Sequence, residues 1–255
     1  VRVDLPGEPE IKAHYASLQQ AKLSTRLQNG AAQVQTVEHL LAALAGLGID
    51  NCRIELDGPE VPILDGSSLP FVEAILRAGV VAQSAVRPVG ILQCALTVWD
   101  REAFVTVTPS AETRYSYGID FADSPIRDQW FSWAFKAETF VEAIAPARTF
   151  TREQDIALAQ QQGLIKGGSL DNAIVCTADS WHQPLRFENE PVRHKLIDLL
   201  GDLSLMGIHL QAHILAYKAG HALHHQLGQM LLSAGTLQLT YPPPTLIRFN
   251  PCPVT

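Results

Sequence analysis

The chain has 255 residues, 47% hydrophobic and 18% charged, long enough for one large domain or two modest ones. A formal net charge of −7 excludes the global positive field that nucleic acid or an anionic membrane face requires, so a phosphate-bearing ligand must be gripped by a few local cations. The four cysteines, Cys52, Cys94, Cys176 and Cys252, lack CxxC spacing and fit a reduced compartment, and no apolar run approaches the roughly 20 residues of a membrane span.

The chain opens on Val1 without a methionine, which leaves room upstream for a natural N-terminus with any targeting segment. Residues 1–5 alternate as a strand. A helix over 36–44 follows, with Thr36 as its N-cap and an Ala- and Leu-rich body, closed by Gly46 and Gly48. Residues 52–56 alternate as a strand, and turn residues fill the loop from Asp57-Gly58-Pro59 to Asp65-Gly66-Ser67. A second helix is predicted over 70–78, then a linker over 82–88. Strands of a second unit occupy 90–109 and 113–121. Beyond them come a helix over 152–162, a turn at Lys166-Gly167-Gly168-Ser169, a short buried strand over 173–176, a helix over 192–205 ending near Gly207, a strand over 212–217 and a helix over 221–234. The Pro-rich tail after Gly235 reads as extended, with no clear chemistry.

This order divides the chain into a first α+β domain (1–85), a second (86–235) and a tail (236–255). Strands and helices do not alternate regularly, which argues for α+β layers rather than a doubly wound parallel sheet. The two halves share a register. Setting His39 against Asp198 aligns Leu40 with Leu199, Leu41 with Leu200, Leu44 with Leu203, Gly48 with Gly207, Ile49 with Ile208 and Leu56 with Leu215. An internal duplication of this kind places His39 and Asp198 at equivalent points of two similar domains, suited to meeting at one interface.

Three local patterns carry possible chemistry. His194 and Asp198 stand at i and i+4 on one helical face with Asp202 a turn further, a spacing that lets an imidazole and a carboxylate address one zinc ion; an ordinary surface pair has the same spacing. Glu38-His39 point about 100° apart on their helix, so one side chain can bind a metal while the other faces a water beside it; alone, the pair also reads as a plain helix start. His221 follows Gly220 where a strand turns into a helix, and Asp202 is available to hold such a histidine cationic. His14, His182, His224 and His225 lack a partner pattern and are expected at the surface. His209 and His213 are expected as satisfied edge or strand residues.

In order along the chain stand Thr36-Val37-Glu38-His39-Leu40, Gly46-Leu47-Gly48-Ile49-Asp50-Asn51, Pro59-Glu60-Val61-Pro62-Ile63-Leu64-Asp65-Gly66-Ser67, Ala147-Arg148-Thr149-Phe150, Gly167-Gly168-Ser169, Arg186-Phe187-Glu188, Val192-Arg193-His194-Lys195 and Gly220-His221-Ala222-Leu223. Together they closely resemble the UDP-3-O-acyl-N-acetylglucosamine deacetylases, from the first strand to about Leu232; that family's Gly-rich opening portion has no counterpart here. The resemblance implies two α+β domains of like topology packed face to face around zinc, and deacetylation of a UDP-linked, acylated N-acetylglucosamine in the lipid A pathway. It implies His39, His194 and Asp198 as zinc ligands, Glu38 as general base, His221 paired with Asp202 as the cationic partner, and Thr149 as an oxyanion donor. It further implies Lys195 and Lys218 on diphosphate or sugar oxygens, Phe150 against the nucleotide-sugar, and Ile156, Leu170, Ala173 and Val175 along an acyl passage.

Two departures bear on the substrate. Thr151-Arg152-Glu153 replace the Gly and aromatic or apolar residue usual after the Arg-Thr-Phe motif, and Asp123-Ser124-Pro125 replace a His-Pro. A zinc hydrolase of another N-acyl sugar and a non-catalytic protein keeping the fold are the rival readings; a base and an acid together are unnecessary for binding alone. A His₂Asp set also suits iron(II). The remaining expectations are a monomer that binds no nucleic acid and makes no stable membrane insertion, in the cytoplasm or, behind a targeting segment, in an organelle.

Overall fold

A computed structural model describes residues 1–163, 165 and 167–242; Lys166 and most of the Pro-rich tail lie outside them. The architecture is α+β, with six helices and several mixed sheets among the described residues. The largest sheet is built from β5 (Leu96–Asp100), β6 (Ala103–Thr108), β7 (Arg114–Phe121), β8 (Arg127–Ala134) and β12 (His213–Tyr217), in the order β5-β6-β12-β7-β8. Only the β12–β7 pairing in it is parallel. One face is apolar by strict alternation: Val105 and Val107, Tyr115, Tyr117 and Ile119, and Ile214 and Ala216 are all buried. Helices α5 (Glu190–Ser204) and α6 (His221–Ser233) belong to the same core. On the sheet's opposite face Trp99, Phe104, Tyr217, Gly118 and Trp130 stand side by side across all five strands, and Trp130 lies over Gly118 to stack on Tyr217 at 5.3 Å.

A second layer rests on α5. Helix α1 (Glu38–Gly46) is Ala- and Leu-rich, a composition of high helix propensity, and packs Leu41, Ala42 and Ala43 into the core that takes Leu196, Leu199, Leu200 and Leu203 of α5. Each fully buried leucine there contributes roughly 1.5–3 kcal/mol of transfer free energy. Before α1 runs an antiparallel meander of β1 (Leu18–Gln19), β2 (Arg26–Asn29) and β3 (Ala32–Gln35), and after it α2 (Leu69–Ala78). A three-stranded sheet sets β4 (Val89–Leu92) between parallel β11 (His209–Gln211) and antiparallel β13 (Leu237–Thr240). The rest is α3 (Ala137–Ala143), α4 (Glu153–Gln161) and the parallel pair β9 (Phe150–Arg152) and β10 (Ile174–Cys176). Most buried apolar side chains of both halves belong to one contiguous cluster.

Several expectations are corrected. Residues 1–5 and 52–56 are not strands; their pairing is one isolated bridge, Arg2 to Leu56, because alternation without a neighbouring ladder makes no strand. Thr36 does not cap α1. It sits at φ +60°, outside the helix, and its hydroxyl donates to Glu60 at 2.7 Å, while Val37 takes the cap position. The expected extended chain after Gly235 begins as strand β13. The shared register of the halves holds through the helices and through Gly48 and Gly207, both left-handed at φ +71° and +68°, but ends before the strand: Leu215 lies in β12 and Leu56 only in the bridge.

Candidate active site

Glu190, His194, Asp198 and Asp202 recur every four residues of α5, so they run down one face of the helix, and all four are buried. Against this face lies the start of α1. A Cβ at Gly201 would sit 2.9 Å from the carbonyl carbon of Glu38 and 3.0 Å from its Cα, so the two backbones come this close only because residue 201 lacks a side chain. The crossing falls at Glu38-His39 and brings His39 to His194 and Asp198.

The donor atoms of His39, His194 and Asp198 all lie within 4.8 Å of one another. His194 Nε2 is 3.3 Å and His39 Nε2 3.7 Å from Asp198 Oδ1, long for hydrogen bonds but close to the about 3.3 Å between ligands of a tetrahedral ion with bonds of 2.0–2.2 Å. His194 Nδ1 lies 3.1 Å from the Ala147 carbonyl, to which it donates, leaving Nε2 bare on the side of the site. His39 Nδ1 is buried with no hydrogen-bond partner. Neither nitrogen of His39 is well satisfied by the protein, and an imidazole buried on those terms calls for a ligand. Asp198 keeps Oδ1 for the site because Lys195 Nζ holds Oδ2 at 2.6 Å. Burial alone would raise the Asp198 pKa, but the Lys195 ammonium beside it holds it well below the usual carboxylate range. The donor set therefore fits a divalent cation.

Beside it, burial pushes the Glu38 carboxyl upward against the opposing pull of His221 and His39. Its Oε2 accepts from the Thr25 backbone N–H at 3.0 Å, and its Oε1 lies 3.9 Å from His221 Nε2. His221 Nδ1 is 2.7 Å from Asp202 Oδ2. Burial lowers the His221 pKa, yet the charge and hydrogen bond of Asp202 outweigh it and lift the value to about 9.

Asp202, His221 and His224 form a second group of donor atoms within 4.8 Å. Here the contacts are hydrogen-bonding distances. Asp202 Oδ2 meets His221 at 2.7 Å and His224 at 2.8 Å, while Oδ1 accepts from the Thr25 hydroxyl and meets His225 Nε2 at 3.1 Å. A carboxylate serving four donors has no lone pair left for a metal. His224 and His225 are thus not at the surface as expected. His224 is wholly buried, since α6 presents it and His225 on the flank of the helix that also carries His221. His14 and His182 are exposed, and His209 and His213 lie in β11 and β12.

Phe150 begins β9 directly after Thr149, and the segment is tied down on three sides. Thr149 donates its N–H to the Gly66 carbonyl and accepts from Ile174 N–H, both at 2.8 Å. Arg148 meets Glu190 through its backbone N–H (3.0 Å) and guanidinium (2.8 and 3.1 Å), and Arg186 N–H donates to the same carboxylate at 2.6 Å. The Phe150 ring lies edge-on to His194 at 6.4 Å. Val175 pairs with Thr151 in the β9–β10 ladder; Ala173 precedes it half-buried, Ile156 is half-buried on α4, and Leu170 is exposed. Both lysines expected on substrate oxygens have partners within the protein: Lys195 on Asp198, and Lys218 on Asp120 (2.9 Å) and Glu102 (3.1 Å). Arg152 binds Asp155 and packs over Phe121 at 5.7 Å.

Fold and site together define an α+β protein with a buried His₂Asp group, a buried carboxylate beside it and an imidazolium held by a second aspartate, the equipment of a metal-assisted hydrolase. The family model described as UDP-3-O-acyl N-acetylglycosamine deacetylase matches residues 1–233. A protein of Nostoc sp. named UDP-3-O-acyl-N-acetylglucosamine deacetylase is 53% identical over 239 residues, covering 91% of this chain and 85% of that protein. One of the same name from Citrifermentans bemidjiense is 41% identical over 252 residues (98% and 81%). A protein of Arabidopsis thaliana named probable UDP-3-O-acyl-N-acetylglucosamine deacetylase 1, mitochondrial, is 43% identical over 244 residues (87% and 74%). The chain belongs to this deacetylase family and is a hydrolase. No helix among its described residues is long and apolar enough to cross a membrane.

Proposed function

We propose that this chain removes the N-acetyl group of UDP-3-O-acyl-N-acetylglucosamine, within the lipid A pathway, using zinc held by His39, His194 and Asp198. The observation that carries the reading is the α1–α5 crossing at Gly201, which brings buried Glu38 and the buried His₂Asp group together. Bound there, zinc lowers the pKa of water and polarises the amide carbonyl; iron(II) suits the same donors. Glu38, its pKa raised by burial and its Oε2 held by Thr25 N–H, takes a proton from the attacking water. The water oxygen bonds to the acetyl carbon, the carbonyl oxygen becomes an oxyanion, and Thr149 and protonated His221 stabilise it. His221 then gives its Nε2 proton to the departing nitrogen as the C–N bond breaks, releasing acetate and the free amine; Asp202 keeps the ring oriented and cationic until then. Phe150 packs the nucleotide-sugar; Lys195, which keeps Asp198 with one of its three N–H donors, and Lys218, by exchanging its present carboxylates, reach its oxygens. Ile156, Leu170, Ala173 and Val175 line the acyl passage.

A second reading, hydrolysis of another N-acyl amino sugar, is favoured by one observation: the Arg152–Asp155 pair puts charge beside the β9–β10 strands where an acyl chain would run. The division into domains 1–85 and 86–235 belongs to the same proposal, as does a monomeric enzyme of the cytoplasm or of an organelle. The test is acetate release from the UDP-sugar and from simple N-acetyl sugars, measured together with bound metal for the parent and His39→Ala. The parent should hold one metal per chain and prefer the UDP-sugar, and the variant should lose both metal and turnover. A metal-loaded parent that releases no acetate from the UDP-sugar defeats the proposal.

A further inference from the structure

The buried histidine of α6 has no part in the reaction just described. His224 lies wholly inside the protein with both ring nitrogens engaged. Nδ1 is 2.8 Å from Asp202 Oδ2, the same oxygen that His221 Nδ1 meets at 2.7 Å, and Nε2 is 3.0 Å from the Tyr117 hydroxyl. Tyr117, equally buried, also reaches the Ala219 carbonyl at 2.7 Å, in the turn Ala219-Gly220 that launches His221. One phenol thus braces both the turn in front of His221 and the ring one helical turn behind it. The path Tyr117–His224–Asp202–His221 is a continuous chain of hydrogen bonds.

We infer that His224 is a positioning residue: through its Nδ1–H it fixes the rotation of the Asp202 carboxylate, and with Tyr117 it aims Nε2 of His221 at the reacting amide. The inference rests on the deacetylase reading of the same site. Asp202 can only accept, so the His224 proton must sit on Nδ1, and burial, which pulls the ring's pKa down to about 4 against Asp202, leaves Nε2 bare at neutral pH. The Tyr117 proton is then shared between Nε2 and Ala219. Thr25 and His225 occupy the other oxygen of Asp202, so its two oxygens are held separately. Without His224, Oδ2 has one donor, and the carboxylate can turn away from the direction His221 needs.

The experiment has a kinetic and a spectroscopic arm. His224→Leu removes the donor, whereas His224→Asn puts an amide N–H close to where Nδ1 stood. His224→Leu should lower kcat by about ten- to a hundredfold, a usual loss when an orienting partner is removed, with KM within about twofold and metal content unchanged. His224→Asn should recover most of that loss. In the parent, nitrogen NMR of the ring should find Nδ1 protonated and Nε2 bare from pH 8 down to pH 6. Near-parental kcat in a folded His224→Leu, an Asn variant no better than Leu, or a proton on Nε2 instead of Nδ1 overturns the inference. The NMR arm needs neither a variant nor substrate. If the Leu variant does not fold, or the parent proves not to be a deacetylase, ring protonation still decides whether His224 holds Asp202.

Discussion

Gly201→Ala is the most searching perturbation of the site, because it touches no proposed ligand. The added Cβ falls 2.9 Å from the Glu38 carbonyl carbon and 3.0 Å from its Cα, and still closer to the carbonyl oxygen. Carbon–carbon contacts relax to about 3.5–4.0 Å, so α1 and α5 must part by on the order of 1 Å or distort. Neither backbone can swing aside as a long side chain would. Overpacking of this kind costs about 1–3 kcal/mol, and in a chain of this size each 1 kcal/mol lowers Tm by roughly 2–4 °C. The same displacement separates His39 from His194 and Asp198, and a 1 Å misplacement can cost about a hundredfold in rate. Gly201→Ala should therefore melt several degrees lower, bind metal more weakly in competition with a chelator, and lose kcat. Calorimetry and metal titration read the two effects separately. A variant with parental Tm and parental metal affinity would falsify the claim that this glycine sets the geometry of the site.

Glu190→Gln should destabilise the protein by about 3–5 kcal/mol in urea unfolding, because it leaves the Arg148 guanidinium, largely enclosed, without its anion. An unchanged midpoint would mean that the pair does not hold β9 to α5. The pH profile follows from His221. Its folded pKa, about 9, lies above its ordinary 6.5, so its contribution to stability is complete below about 6.5 and disappears as pH rises through 9. Asp202, held well below its ordinary value, contributes above that value and loses the contribution only in acid. The kcat of the metal-loaded enzyme should accordingly decline above pH 9, and His221→Gln should abolish that limb along with most of the rate. An alkaline limb that survives in His221→Gln would assign it to another group.

Helical spacing made much of the site legible in advance. The period of 3.6 places His194, Asp198 and Asp202 on one face of α5 whatever surrounds them, and the glycine after each long helix marks its end. Patterns that depend on a distant partner were not readable. β8 carries Arg127, Asp128 and Ser132 on exposed positions and becomes a strand only because β7 offers it eight registered partners. Residues 1–5 alternate just as well and find a single bridge.

His224 and His225 show the same divide at the level of single side chains. Their spacing from His221 is written in the chain, but burial is not, since these α6 side chains are covered only once β7 brings Tyr117 and α5 brings Asp202. Thr25 meets Asp202 across 177 residues of chain, a contact no local pattern announces. A helix carries its periodicity within itself, because its hydrogen bonds close within four residues. Which carboxylate a histidine meets depends on how separate elements pack, and here that depends on a glycine at the point where two helices cross.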